Sequence, residues 1–166
     1  MRKFWIALFV MALCLFAHGE ENNCKEVSGG FVTNILSESG TFNGKSFIAT
    51  TLGTATGDLA GALGVYILSV APGPNNSIVA KVHHHWVINA GDTIFLADAT
   101  STGYPVGPFS GVSAVADDSY VVNIIGGTGR FAGATGQLST TGVLDTVHGT
   151  TVGRYHGTIC FAQPEH

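Results

Sequence analysis

Charged residues are scarce in this chain of 166 residues: Asp, Glu, Lys and Arg make up 11% of it, and the formal net charge is −4. The basic residues do not cluster, which argues against nucleic acid and anionic membrane surfaces as partners. The longest apolar run, Phe4–Phe16, is too short to cross a bilayer as a helix. No window repeats its apolar residues with a helical period, so we expect no α-helical domain.

The N-terminal segment has the organisation of a secretory signal peptide. Arg2 and Lys3 precede the apolar run, and the sequence AHG at 17–19 places small residues at the −3 and −1 positions of a cleavage site. We therefore predict a cleaved signal peptide over 1–19, one mature domain over 20–166, and a secreted or periplasmic protein. An uncleaved membrane anchor is the alternative.

Cysteine is also rare, with three residues in the whole chain. Cys14 lies in the predicted signal peptide, which leaves Cys24 and Cys160 near the two ends of the mature chain. In an oxidising compartment we expect these two to form a disulfide, with two separate thiols as the alternative. Because the bridge would close so long a loop, it would add about 4–5 kcal/mol of stability.

Short runs of β-branched and aromatic residues, separated by Gly, Asn, Asp and Pro, are abundant instead. They predict strands at 31–36, 46–51, 62–70, 78–88, 93–100, 110–115, 119–125, 137–143 and 151–161. Tight turns are expected at 89–92 and 116–118, and we find no internal repeat. Several strands are apolar on both faces, which favours a barrel. We predict an all-β fold, an eight-stranded antiparallel closed barrel.

The segment NIIGGTGRFAGATGQ, at 123–137, contains the pattern G-x-G-x-x-A after a strand, as dinucleotide-binding loops do. Such a loop must open a helix that holds the pyrophosphate. The residues that follow are too rich in glycine and threonine to form one. We interpret the segment as a corner between strands. Its structural residues would be three glycines that permit positive φ, a phenylalanine under the turn and an arginine that pairs across it: Gly126, Gly127, Gly129, Phe131 and Arg130.

This corner resembles the G-G-[ST]-G-x-F-x-x-x-x-G segment of the allene oxide cyclase and dirigent β-barrels. The dipeptide GD at 57–58 and the sequence GDTIFLAD at 91–98 also look like earlier strands of the cyclases, so the likeness covers roughly residues 50–161. It implies a calycin-like eight-stranded barrel, and together with the predicted signal peptide it indicates an exported, bacterial-type member of this superfamily. It also implies an apolar cavity, a homotrimer and no cofactor.

Two departures limit what the resemblance implies. Thr135 stands where dirigent proteins usually carry an arginine. The first predicted strand, within 26–39, has no obvious counterpart of the carboxylate that the cyclases carry there. The resemblance therefore implies the fold and does not transfer either activity.

The sequence KVHHHWVI, at 81–88, is the most unusual local feature. On a strand, its residues alternate between two faces, and the face with His84 and Trp86 is the more apolar one. We expect that face to line the interior. There His84 is either a general acid–base group or a structural histidine whose hydrogen bonds are made to the barrel wall. His83 and His85 on the other face, with His156, offer a weak alternative as metal ligands, but we predict no metal site.

Asp98 is the second candidate acid or base, because it shares a predicted strand face with Ile94 and Leu96. If that face is inward, burial would raise the pKa of the Asp98 carboxyl. If it is outward, Asp98 is solvated or contacts another subunit. An apolar ligand would be bound by Trp86 and by four tyrosines that could line or rim the interior: Tyr66, Tyr104, Tyr120 and Tyr155.

Three functions are compatible with these features. The first is an exported barrel that binds a small hydrophobic molecule in its interior. The second is a cofactor-free isomerase or cyclase that acts through Asp98 or His84. The third is a non-catalytic structural or interaction barrel plugged by its own side chains. No nucleophile elbow, P-loop or zinc signature favours another class of enzyme.

Overall fold

A computed structural model of the chain describes residues 23–36, 38–107 and 111–162, apart from the side chains of 116–119. The predicted signal peptide, 1–19, lies outside the described residues. In the part of the chain that is described, none of the helices has the length and apolar character needed to span a bilayer.

The described residues form β-strands joined by tight turns and three short 3₁₀ turns. The strands are β1 (Cys24–Leu36), β2 (Gly40–Phe42), β3 (Lys45–Phe47), β4 (Ala49–Ala55), β5 (Gly61–Pro72), β6 (Ile78–Ile88), β7 (Thr93–Leu96), β8 (Ala99–Pro105), β9 (Val112–Gly127), β10 (Thr135–Asp145) and β11 (Thr150–Cys160). The 3₁₀ turns are Gly57–Leu59, Pro74–Asn76 and Gly129–Phe131.

The main sheet is antiparallel and closes on itself. Among the described residues it contains nine strands in the order β10-β11-β1-β4-β5-β6-β7-β9-β8, and the pairing of β9 with β10 completes the circle. β2 and β3 form a separate two-stranded sheet joined by Asn43 and Gly44, whose positive φ values suit a tight hairpin. The predicted closed all-β barrel is confirmed.

The predicted number of eight strands is wrong. The run 93–100, expected to be one strand, is interrupted at Ala97 and Asp98 and becomes β7 and β8, which both pair with β6 and with β9. A second error is the turn expected at 116–118, because β9 runs through it without a break.

The strand alternation predicted for β6 is confirmed by burial. Val82, Trp86 and Ile88 are each 4% exposed and His84 is 8% exposed, whereas Lys81 and His85 lie on the solvent side. The alternation puts His84 and Trp86 inside the barrel.

The predicted corner is also present. Phe131 is completely buried, and Gly129 has φ +53° with no room for a Cβ beside the Asp92 carboxylate. Arg130 contacts Asp92 across the turn through its backbone N–H, which donates to the Asp92 carboxylate at 3.4 Å. The Arg130 guanidinium lies 4.8 Å from the centre of the Phe131 ring, a cation–π contact.

A second corner repeats the first in sequence and shape. The segments TGDLAGALG (56–64) and TGRFAGATG (128–136) each begin with an extended Thr followed by a Gly at positive φ in a 3₁₀ turn. Each turn inserts one large apolar side chain, Leu59 or Phe131, into the same end of the barrel, which we call the closed end. The expectation of no internal repeat is therefore wrong.

The disulfide joins the strand ends at this closed end. Cys24 and Cys160 are directly opposite each other in the β1–β11 ladder and are bonded, as predicted. The bridge thus covalently links the first and last described strands. A disulfide of this kind is typical of an oxidising compartment.

Candidate functional site

The interior of the barrel holds a central cavity of about 120 Å³. Its lining runs from Trp86 and Leu96, near the closed end, to Val143 and Leu144, near the β10–β11 turn. Aliphatic side chains such as Val65, Val82, Val122 and Leu138 make up much of the wall. A cavity of this size can take up a molecule such as benzene.

The closed end forms the floor of the cavity and uses two of the predicted ligand-binding residues. The Trp86 indole N–H donates to the Leu59 carbonyl at 2.9 Å, and the Leu59 N–H donates to the Tyr155 hydroxyl at 2.8 Å. The Tyr155 hydroxyl in turn donates to the Thr56 carbonyl at 2.7 Å, and its ring packs edge-on against Trp86. The polar atoms of both side chains therefore hold the 3₁₀ turn, and their rings line the cavity.

A buried polar pair, His84 and Tyr120, lies in the wall above this floor. The Nε2 atom of His84 is hydrogen-bonded to the Tyr120 hydroxyl, and both residues line the cavity. Burial lowers the pKa of His84 to about 4, with a smaller contribution from the neighbouring His83. Burial also raises the pKa of Tyr120 well above its ordinary value. Both side chains are therefore neutral at pH 7, and neither carries a charge that an apolar ligand would have to displace.

The Nδ1 atom of His84 is buried and has no hydrogen-bond partner among the described residues. The hydroxyl oxygens of Thr33 and Thr151, which face each other across β1 and β11 and also line the cavity, are in the same state. Unsatisfied buried polar atoms are uncommon in proteins and call for an explanation. Here these atoms give the largely apolar wall of the cavity polar groups that the described residues do not pair.

Asp98 lies on the outside of the barrel and not in the cavity. The break between β7 and β8 shifts the alternation by one residue, so Ile94 and Leu96 face inward before it and Ala99 faces inward after it. Asp98 accepts hydrogen bonds from Lys45 Nζ at 2.6 Å and from His83 Nδ1 at 2.8 Å.

Burial alone would raise the pKa of the Asp98 carboxyl, but the hydrogen bonds from Lys45 and His83 lower it below its usual value. Of the two orientations considered for Asp98, the structure shows the outward one, and the raised pKa expected of an inward carboxyl is not found. Asp98 is an ionised group that fastens the β2–β3 hairpin to the outer wall.

Tyr66 and Tyr104 do not line the cavity. Tyr66 is stacked on Phe42 of the hairpin, with ring centres 4.5 Å apart, on the same outer surface as His83 and His85. Tyr104 is 40% exposed. Of the predicted ligand-binding residues, Trp86, Tyr120 and Tyr155 are brought together around the cavity, and His84 joins them.

His83 and His85 lie side by side under the hairpin, where both contact the Phe42 ring. Within the described ranges, no three His, Cys, Asp or Glu side chains are arranged so that they could hold a metal ion. Sequence reasoning missed the threonines of the cavity wall, Thr33, Thr51, Thr140, Thr141 and Thr151. Their strand alternation could have indicated them, but threonine is abundant on both faces of this chain.

Comparisons with known proteins add little to this geometry. No protein-family model matches the chain, and no curated protein does. Among solved structures, a pterocarpan synthase dirigent protein is similar over 86% of this chain and 87% of its own, at 15% sequence identity and a TM-score of 0.37. That likeness concerns a dirigent-like fold at most. It carries no information about the ligand or activity of this chain.

Proposed function

We propose that this protein is an exported β-barrel that binds one small, hydrophobic molecule in its central cavity. The observation that carries the proposal is the cavity itself, about 120 Å³ of space within a wall made mainly of aliphatic and aromatic side chains. A well-packed core leaves few voids of this size, because each one forfeits packing energy. The volume suits a molecule of about the size of benzene.

The third hypothesis, a barrel plugged by its own side chains, accounts for only part of the molecule. Leu59 and Phe131 plug the closed end, where both are almost completely buried. The described residues leave the cavity between Trp86 and Leu144 unfilled. This division into a plugged end and an unfilled middle favours ligand binding over a purely structural role.

The second hypothesis, a cofactor-free isomerase, would keep His84, one of the two acid–base residues first considered, and would have to replace Asp98. Asp98 is on the outer surface, so His84 and Tyr120 would be the acid–base groups at the cavity. Both are neutral at pH 7. They could polarise a bound carbonyl by hydrogen bonding, and a turnover assay would become meaningful once a ligand is known.

Binding of benzene, measured by calorimetry and by a shift of the melting temperature, tests the proposal. Ala80 lines the cavity, so Ala80→Leu should fill part of it and abolish the benzene-dependent shift. Ala62→Leu, on the exposed outer face of β5, is the matched control and should retain it. Absence of binding to the unmodified protein, or equal binding by both variants, would contradict the proposal.

The homotrimer and the exported location remain parts of this proposal. Native mass spectrometry of protein secreted from an oxidising compartment measures the subunit count. The intact mass of the same sample shows whether cleavage follows Gly19, as the N-terminal segment predicts.

A further inference from the structure

The hydrogen bond between His84 and Tyr120 can be made in two ways, which present opposite groups to the cavity. If Nε2 of His84 carries the proton, it donates to the Tyr120 oxygen and leaves the Tyr120 O–H free to donate elsewhere. If Nδ1 carries the proton, the Tyr120 O–H donates to Nε2, and the tyrosine can offer a ligand only its oxygen lone pair.

The surroundings of Nδ1 decide between these two arrangements. Nδ1 is buried without a hydrogen-bond partner among the described residues. A proton there would make it an unpaired, buried N–H donor, and such donors are rarer in folded proteins than unpaired acceptors. The tautomer protonated at Nε2 places the free donor on the Tyr120 hydroxyl instead, at a side chain that lines the cavity, where a ligand can accept the hydrogen bond. Burial keeps the His84 ring in its neutral form.

We infer that Tyr120 presents a hydrogen-bond donor to the central cavity, that His84 holds it in this role, and that the site selects small apolar molecules with one hydrogen-bond acceptor. A cyclic ketone has this chemistry: its ring fits the aliphatic wall and its carbonyl oxygen accepts from Tyr120. Tyr120 would contact the ligand directly, whereas His84 is a positioning residue. This inference rests on the proposed function, because it specifies the polar end of the same cavity.

A pair of probes with the same shape tests the polar end separately from the apolar wall. Cyclohexanone and methylenecyclohexane differ in one group, an oxygen in the first and a CH₂ in the second. We compare the ratio of their dissociation constants between variants, since the ratio within one protein also reflects how water solvates each probe. Removing one neutral hydrogen bond should change that ratio by about three- to tenfold.

Tyr120→Phe should weaken cyclohexanone relative to methylenecyclohexane by this factor. Tyr104→Phe, which removes a hydroxyl from an exposed tyrosine, should leave the ratio unchanged. His84→Gln keeps an N–H donor near the position of Nε2 and should preserve the ratio. His84→Leu removes that donor and should shift the ratio as Tyr120→Phe does. If His84 had only a structural role, this shift would not be expected.

The outcomes distinguish a failure of the proposed ligand-binding function from a failure of the inference about Tyr120. If neither probe binds the unmodified protein, the proposed ligand-binding function fails. If both bind and Tyr120→Phe leaves their ratio unchanged, binding stands and the inference is overturned. The ¹⁵N NMR spectrum of the unmodified protein measures the tautomer independently. The His84 signal is assigned as the one that remains in the neutral form below pH 6. Protonation at Nε2 is expected, and protonation at Nδ1 would refute the inference.

Discussion

Tyr155 combines a cavity-lining ring with a hydroxyl that holds the closed end, so Tyr155→Phe should reduce stability and leave ligand binding intact. The residue is 2% exposed. Its hydroxyl accepts from the Leu59 N–H and donates to the Thr56 carbonyl, on the two sides of one short 3₁₀ turn. Phenylalanine keeps the ring and its edge-on contact with Trp86 but removes both hydrogen bonds.

The expected loss of stability follows from the groups that the substitution leaves without hydrogen-bond partners. Each lost hydrogen bond is worth about 1 kcal/mol, and a buried N–H left without a partner costs about 1–3 kcal/mol. Leu59 is 2% exposed, so water does not readily replace the tyrosine oxygen. We expect Tyr155→Phe to lower the free energy of unfolding by about 2–3 kcal/mol and the melting temperature by about 5–10 °C.

Urea unfolding followed by circular dichroism, with the disulfide intact, measures this loss. Tyr104→Phe, at a tyrosine that is 40% exposed, is the matched control and should change the free energy of unfolding by less than about 0.5 kcal/mol. Benzene affinity should be the same in both variants as in the unmodified protein. A loss in Tyr155→Phe no larger than in the control would refute the assignment of the hydroxyl to the closed end.

Two further predictions concern the disulfide and the buried histidine. Replacing both cysteines by serine should cost about 4–5 kcal/mol in urea unfolding, because the bridge closes a loop with a sequence separation of 136; a loss below about 1 kcal/mol would contradict this. Because the pKa of His84 falls from 6.5 when unfolded to about 4 when folded, the unfolded chain binds its proton first as the pH drops. Its contribution to stability is complete above pH 6.5 and is lost as the pH falls towards 4, by about 3 kcal/mol at most. His84→Gln should make the pH dependence of unfolding shallower in that window by this amount, and an unchanged slope would show that His84 is not buried in its neutral form.

Features that depend on neighbouring residues could be predicted from the sequence. The inward face of β6 follows from strict alternation, and the corner at Gly129–Phe131 follows from the glycines and the single large apolar residue there. The hairpin of β2 and β3 also has a local signal, the Asn43–Gly44 dipeptide, which the prediction of a strand at 46–51 passed over. The repeat of the corner at 56–64 was equally readable.

Asp98 shows where local reasoning fails. Alternation from Ile94 and Leu96 places Asp98 inside the barrel, and this holds only while the strand is continuous. The break at Ala97 and Asp98 contains no glycine, proline or asparagine to announce it, and Asp98 alone is a weak turn signal. It depends on pairing with β6 and β9, which are distant in the sequence. A shift of one residue reversed the side on which the carboxyl lies.

The sequence by itself determined that this chain builds an all-β barrel, that Cys24 and Cys160 are placed to bridge it, and that His84 and Trp86 face inward. These properties come from side-chain period, turn chemistry and the rarity of cysteine. Tertiary structure alone decided that Leu59 and Phe131 close one end, that the described residues leave a cavity unfilled, and that Tyr120 meets His84. Those outcomes depend on strand register and barrel closure. Contacts across a barrel are set by the pairing of segments that are distant in the sequence, and not by the immediate sequence neighbours of each residue.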